Sequence, residues 1–267
     1  MTRLVTEWIS HMEQEIEAYD KELIDKLGIN LVGLTSKTCG YTEQEFYKKV
    51  VNHKIAVIPI TAGEGVIGSF SEAVAAILRK VKADVFITEK TDVAGMKEGL
   101  IKGADILFMA DDEEFIALNV KTGAVADNNY CTAAGYIVAL EKMAGTLERE
   151  DVLVLGYGII GKKVVELLKK KGAAITVFDK NKEKTISLES QGIPTLAKEG
   201  EICRFHYIID ATDEGAWLHK DMLAADVRMA SMGIPLSLDQ EAYDFHKDRI
   251  IHDYLEIGTA VMLGTVI

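Results

Sequence analysis

Residues 151–180, DVLVLGYGIIGKKVVELLKKKGAAITVFDK, decide the fold. An apolar run of strand length leads into Gly156, Gly158 and Gly161, a segment of helical periodicity follows, and a second apolar run ends at Asp179. This is G-x-G-x-x-G at a strand-to-helix turn with an acidic residue closing the next strand, the dinucleotide-binding arrangement. Gly156 permits the tight turn, Gly158 lets the backbone approach a pyrophosphate, and Gly161 lets the helix pack closely on the strand; the amides at the helix N-terminus favour the anion. Tyr157, Ile159 and Ile160 complete the cofactor-binding turn. Asp179 is placed to accept hydrogen bonds from the adenosine ribose and to repel a 2′-phosphate, which favours NAD over NADP, while Lys180 softens that preference. A plain strand-to-helix turn is the competing reading, and the agreement of strand, helix and acid argues against it.

Further along, YIIDAT, VRMASMGIP and RIIHDYLEIGTA supply more strand candidates. Ligands of open α/β sheets sit beyond the carboxyl ends of the strands. On that rule Asp210, Ala211 and Thr212, then Ser231, Met232 and Gly233, then Gly258, Thr259 and Ala260 are expected to line the cofactor cleft.

Before residue 151 the same alternation appears. KIAVIPITA, DVFITE and DILFMA are continuous apolar runs, separated by GVIGSFSEAVAAILRKV and DVAGMKEGLIKG, which have helical character. Such runs suggest buried strands joined by crossover helices. From Leu4 to Leu27, apolar residues at three- and four-residue steps predict an amphipathic helix, TEQEFYKKVV a second, and residues 129–143 a long connecting one. The expected architecture is α/β: an N-terminal helical plus small parallel α/β domain over residues 1–148, then a C-terminal NAD-binding Rossmann domain over 149–267.

Two stretches of the first domain carry chemistry. PITAGEGVIGSFSEAV joins a strand end to glycines and hydroxyls, suited to a carboxylate or phosphate, although a glycine-rich connection with Ser69 as a helix cap fits equally well. DILFMADDEEF ends a strand in Asp111, Asp112, Glu113 and Glu114. Asp111, nearest the strand end, is expected to point inward as a ligand for a cationic amine, and the other three to begin a solvated helix, whose N-terminus favours acids. Strand topology would bring both loops to one edge, where an anion-binding turn beside a carboxylate suits a free amino acid. His252 and Asp253 lie at a later strand end, and Asp253 is the stronger candidate.

Other chemistries fare poorly. A net charge of −12 repels nucleic-acid backbones. Three widely spaced cysteines form neither a disulfide framework nor a thiolate zinc site, and six histidines show no metal-ligand spacing, so no metal is expected. No GxSxG elbow is present. No signal peptide or membrane-length apolar stretch is visible, and the expected setting is cytoplasmic, with no membrane or nucleic-acid partner.

GEGVIGSFSEAV (63–74), MADDEEFIALNVKTGAVADN (109–128), CTAAGYI (131–137), VLGYGIIG (154–161), GIP (233–235) and EIGTAVML (256–263) together resemble the pyrrolysine synthase dehydrogenases, the PylD family. That resemblance spans most of the chain. It implies an NAD-dependent oxidoreductase that oxidises the ornithine terminal amine of 3-methylornithyl-Nε-lysine, with loss of ammonia and ring closure to pyrrolysine. It points to Leu4, Val5, Ala62, Glu64, Ser69, Phe70, Asp111, Asn129 and Asp253 as substrate-binding residues, with Asp111 and Asp253 as catalytic carboxylates. The chain departs from the family pattern at Ala62 and Glu64, where serine and asparagine are expected, and at Asp253, where glutamate is expected. A small-molecule substrate and a homodimer are the partners this reading carries. The alternatives are another amino-acid or imine oxidoreductase, of the dipicolinate-precursor type, and a non-catalytic NAD-binding sensor.

Overall fold

The computed structural model describes residues 4–267. The N-terminal apolar stripe folds as two helices, α1 (Thr6–Ile9) and α2 (Met12–Leu27), rather than the single helix expected, because the chain turns at Ser10 and His11. Ile9, Met12, Ile16, Leu23 and Leu27 stay buried across the break. Helix α3 (Leu31–Cys39), which the sequence reading missed, starts where Asn30 Oδ1 accepts the Gly33 N–H. Helix α4 (Glu43–Val50) opens with a capping box between Thr42 and Glu45.

Strand β1 (Lys54–Ile58), α5 (Phe70–Lys80), β2 (Asp84–Ile87), α6 (Asp92–Ile101) and β3 (Ile106–Ala110) form the expected crossovers, with β1 parallel to both β2 and β3. The carboxylates at 111–114 do not begin a helix. They turn the chain back into β4 (Phe115–Asn119), antiparallel to β3, and β5 (Val125–Asp127) adds a further antiparallel strand. The turn closes because the Asp111 N–H donates to the Glu114 carbonyl while Asp111 Oδ1 accepts the N–H groups of Glu113 and Glu114, each at 2.8 Å. Aspartate competes well for such local bonds. The alternating burial of residues 115–119 marks a half-buried strand. This sheet is therefore mixed, in the order β2-β1-β3-β4-β5.

Helix α7 (Asn128–Ala144) leads to β6 (Asp151–Leu155), α8 (Ile159–Lys170), β7 (Ala174–Phe178), α9 (Lys182–Glu189), β8 (Tyr207–Asp210), β9 (Arg228–Ser231), α10 (Gln240–His246), β10 (Ile250–His252) and α11 (Glu256–Val266). The second sheet, β10-β9-β8-β6-β7, is wholly parallel. Its core includes Leu153, Leu155, Phe178, Ile208, Met229 and Ile250.

Packing divides the chain into one unit of residues up to Asp25, Ile29–Gly135 and Tyr254–Ile267, and another of Lys26–Gly28 and Tyr136–Asp253. The expected split at 148/149 differs from this in three respects: the division falls inside α7, α11 belongs to the first unit, and Lys26–Gly28 belong to the second. Helix α11 is apolar on nearly every side, which requires burial all round. Its glycines let neighbouring helices approach: a Cβ at Gly264 would lie 2.7 Å from Cys39 Sγ, and one at Gly258 would lie 2.7 Å from Asn128 Oδ1.

Candidate active site

In the second unit, strand β6 lies between β7 and β8, so the strand order reverses there and leaves a crevice beyond the strand ends. The three glycines of the turn differ in what surrounds them. Gly156 has φ +85° and lies so close to Ala211 that a Cβ would come within 2.7 Å of its carbonyl oxygen; a Cβ on Gly161 would overlap the Gly156 carbonyl. At Gly158 a Cβ would meet no atom within 4 Å. The backbone is thus open at the one glycine where a ligand should approach. Gly158 is also the N-cap of α8 and offers no side-chain cap, leaving that helix start suited to an anion.

Asp179 ties this turn to the end of β7. Its Oδ2 accepts the Tyr157 N–H at 2.7 Å, its Oδ1 accepts the Asn181 N–H at 2.8 Å, and Lys184 Nζ lies 3.7 Å from Oδ2. A carboxylate has about four acceptor positions, so ribose hydroxyls can still be accommodated. Tyr157 is buried, and Ile159 is largely exposed at the helix start beside Ile160 and Gly161. Lys180 does not stand free: its Nζ donates to Glu214 Oε2 at 2.7 Å and lies 4.8 Å from the centre of the Trp217 ring.

Several residues assigned to the cofactor cleft have other work. Asp210 is fully buried and accepts four hydrogen bonds, from the Thr212 N–H and Oγ1 and from Ser231 Oγ and Ser237 Oγ. It fastens the ends of β8 and β9 together rather than facing a ligand. Ser231 spends its hydroxyl there, the buried Met232 donates its N–H to the Asp210 carbonyl, and a Cβ on Gly233 would lie 2.5 Å from the Thr212 carbonyl oxygen. Ala211 remains against Gly156, its N–H donated to Leu155. Gly258 and the fully buried Ala260 belong to α11 in the first unit, where their small size serves helix packing. Glu214, Trp217 and Ser237 were missed, because only the strand order shows which loops meet.

In the first unit the two chemistry-bearing loops do touch. The Glu64 N–H donates to Asp112 Oδ2 at 2.7 Å, and Gly63, at φ +71°, lies so close that a Cβ would overlap that oxygen. Asp112, rather than Asp111, therefore holds the glycine turn, while Ala62 and Glu64 are exposed. Gly63→Ala should loosen this clamp and lower stability by about 1–2 kcal/mol, measured by denaturant unfolding. Thr61 anchors the turn's start, donating its N–H and hydroxyl to Asp92, and these bonds hold the Asp92 carboxyl below the usual range. Asp111 likewise lies below the ordinary carboxylate range, held there by the Glu114 and then the Glu113 N–H.

Ser69 occupies the cap position of α5 but does not cap it with its hydroxyl. It sits at the N-cap of α5 in the left-handed region, φ 65° and ψ 2°, with no side-chain capping bond, a conformation costly for a non-glycine residue. Phe70 packs edge-on against Phe115, with ring centres 5.3 Å apart. Gly68 admits Thr6, whose Oγ1 would lie 2.8 Å from a Cβ there, so α1 packs on the glycine turn with the buried Leu4 and the more exposed Val5 immediately before it. Asn129, nearly buried, donates its N–H to Asp127.

Asp253 lies in the second unit after β10 and is 6% exposed. Its N–H donates to the Tyr136 hydroxyl at 2.9 Å, which in turn donates to its carbonyl at 3.3 Å. His252 Nδ1 lies 3.0 Å from the Ser231 carbonyl oxygen, within hydrogen-bond reach. Among the described residues no group of three or more His, Cys, Asp or Glu is arranged to hold a metal, and no helix is long and apolar enough to cross a membrane. Burial pushes the thiols of Cys39 and Cys131 up to about 11 and about 12, which leaves them protonated and unreactive at neutral pH.

A parallel sheet with a glycine turn at its switch point and an acid at the next strand end defines a Rossmann-type dinucleotide-binding fold. Residues 8–126 match the family described as pyrrolysine biosynthesis protein PylD, N-terminal domain, and residues 152–235 match the TrkA-N domain family. The chain is 29% identical to the pyrrolysine synthase of Methanosarcina acetivorans over 100% of both chains, and 27% identical to that of Methanosarcina barkeri over 100% of this chain and 98% of the relative. Among solved structures, shikimate dehydrogenase from Aquifex aeolicus shares the fold, with a TM-score of 0.52 and 13% identity over 80% of this chain and 90% of that one. Together these likenesses support a place in the PylD family.

Proposed function

We propose that this protein is an NAD-dependent dehydrogenase that oxidises the ornithine terminal amine of 3-methylornithyl-Nε-lysine, with loss of ammonia and closure to pyrrolysine. The observation that carries this reading is the full-length likeness to two pyrrolysine synthases in a chain whose Gly158 turn is open for a dinucleotide. Asp179, beside the turn, supports NAD over NADP, because its charge repels a 2′-phosphate.

A bound nicotinamide supplies a hydride acceptor for the amine-bearing carbon. That carbon releases hydride only once its nitrogen lone pair is free, so the substrate ammonium must first lose a proton. Asp111, held ionised by the amides of its own turn, is a weak base and a good counter-ion. Its role is to orient the ammonium, while water takes the proton. Leu4, Val5, Ala62, Glu64, Ser69, Phe70 and Asn129 are the further residues assigned to the substrate. Phe70, braced by Phe115, offers an apolar surface to its methylene chain. The attacking amine is part of the substrate itself, and effective molarities of ~10⁵ M or more for such ring closures leave cyclisation little need of the protein. Free cysteines suit a reducing, cytoplasmic setting.

Asp111→Asn tests the assignment. Turnover of the dipeptide should fall at least tenfold, roughly the loss of one charge-assisted contact, with NADH affinity unchanged. Equal losses in both would show that Asp111 acts on the fold rather than on the substrate.

A further inference from the structure

We infer that Glu214 sets the preference at the nucleotide's 2′ position by withholding Lys180. The inference rests on the NAD reading above and deepens it. Residue 155, at the end of β6, pairs with Phe178 of β7 on one side and Asp210 of β8 on the other. The loops that follow β7 and β8 therefore flank the glycine turn, and the Lys180–Glu214 ion pair ties one to the other.

Lys180 is the residue next to Asp179, where a lysine would ordinarily be available to a 2′-phosphate. Here its ammonium is claimed twice, by Glu214 Oε2 at 2.7 Å and by the face of Trp217. Trp217 is itself placed, packing on Phe178 with ring centres 6.3 Å apart and its Nε1 3.5 Å from Thr212 Oγ1. Two ion pairs stand at this end, Lys180 with Glu214 and Lys184 with Asp179, the latter at 3.7 Å. Removing Glu214 takes one negative charge from them and releases Lys180. Both members of the pair are about half exposed, so neither substitution disturbs the core.

Titration of NADH and NADPH by fluorescence, on the parent, E214A, E214Q, K180A and K180A/E214A, tests this without requiring turnover. For E214A and E214Q, NADPH affinity should rise about three- to tenfold, the scale of one unit charge acting a few ångströms away through solvent-like surroundings. NADH affinity should change by less than about twofold, and the NADPH gain should shrink at ~0.5 M salt as screening shortens the range. In K180A/E214A the gain should disappear. Unchanged NADPH affinity in E214A while NADH still binds would overturn the role of Glu214, as would a gain that survives in the double variant. A parent protein that binds neither nucleotide would overturn the NAD reading and this inference together.

Discussion

Gly158→Val should lower NADH affinity by roughly a hundredfold or more while the protein stays folded, because a side chain there would occupy the space through which the helix amides reach a pyrophosphate. The protein itself has no objection to that side chain, since a Cβ at Gly158 would meet nothing within 4 Å and its φ is −83°. Valine is a poorer N-cap than glycine, so a loss of about 1 kcal/mol, or roughly 2–4 °C in melting temperature, is expected. Gly161→Val provides the contrast. Its side chain would overlap the Gly156 carbonyl and should destabilise the whole second unit. Thermal melts beside NADH titrations separate the two, and a Gly158 variant that binds NADH as tightly as the parent would show that no dinucleotide passes over this turn.

Asp210→Ala should be strongly destabilising. It would strand the fully buried hydroxyls of Ser231 and Ser237 and the half-buried hydroxyl and N–H of Thr212. Leaving several buried donors unpaired costs about 3–5 kcal/mol, or a fall of roughly 10 °C. Asp210→Asn should recover part of this, because the amide keeps one acceptor oxygen and the hydroxyls can rotate to accept. NADH affinity of the folded fraction should hold in both. If Asp210→Ala instead melted like the parent and lost NADH, Asp210 would be a cofactor ligand, as its place at a strand end first suggested.

The contrast between Asp179 and Asp210 shows how far the sequence could be read. Both are acids at strand ends. The spacing from the glycine fingerprint singles out Asp179, because a chemical role is tied to that offset; for Asp210 only the strand-end rule applied, and the serines that claim it, Ser231 and Ser237, are distant in sequence. Elements carried by periodicity or by the fingerprint were legible: β6, α8 and β7, the parallel strands β1 to β3, and the long α7. What failed depended on competition between local bonds. The acids at 111–114 satisfy a helix N-terminus on charge grounds, yet Asp111 binds the amides of its own turn and the chain reverses into β4. Helix α11 reads as the last element of the second domain by order, but its all-round apolar character commits it to the first unit. The clamp between Asp112 and the glycine turn joins residues 48 positions apart and leaves no local trace in the sequence.

The central claim is that this chain couples amine oxidation to NAD reduction. Protein, NAD and synthetic 3-methylornithyl-Nε-lysine should together produce NADH absorbance and free ammonia in equal amounts, with a product of the mass of pyrrolysine. Neither NADH nor ammonia at saturating dipeptide, from a protein that binds NADH, would contradict it and leave a nucleotide-binding protein with another substrate or none.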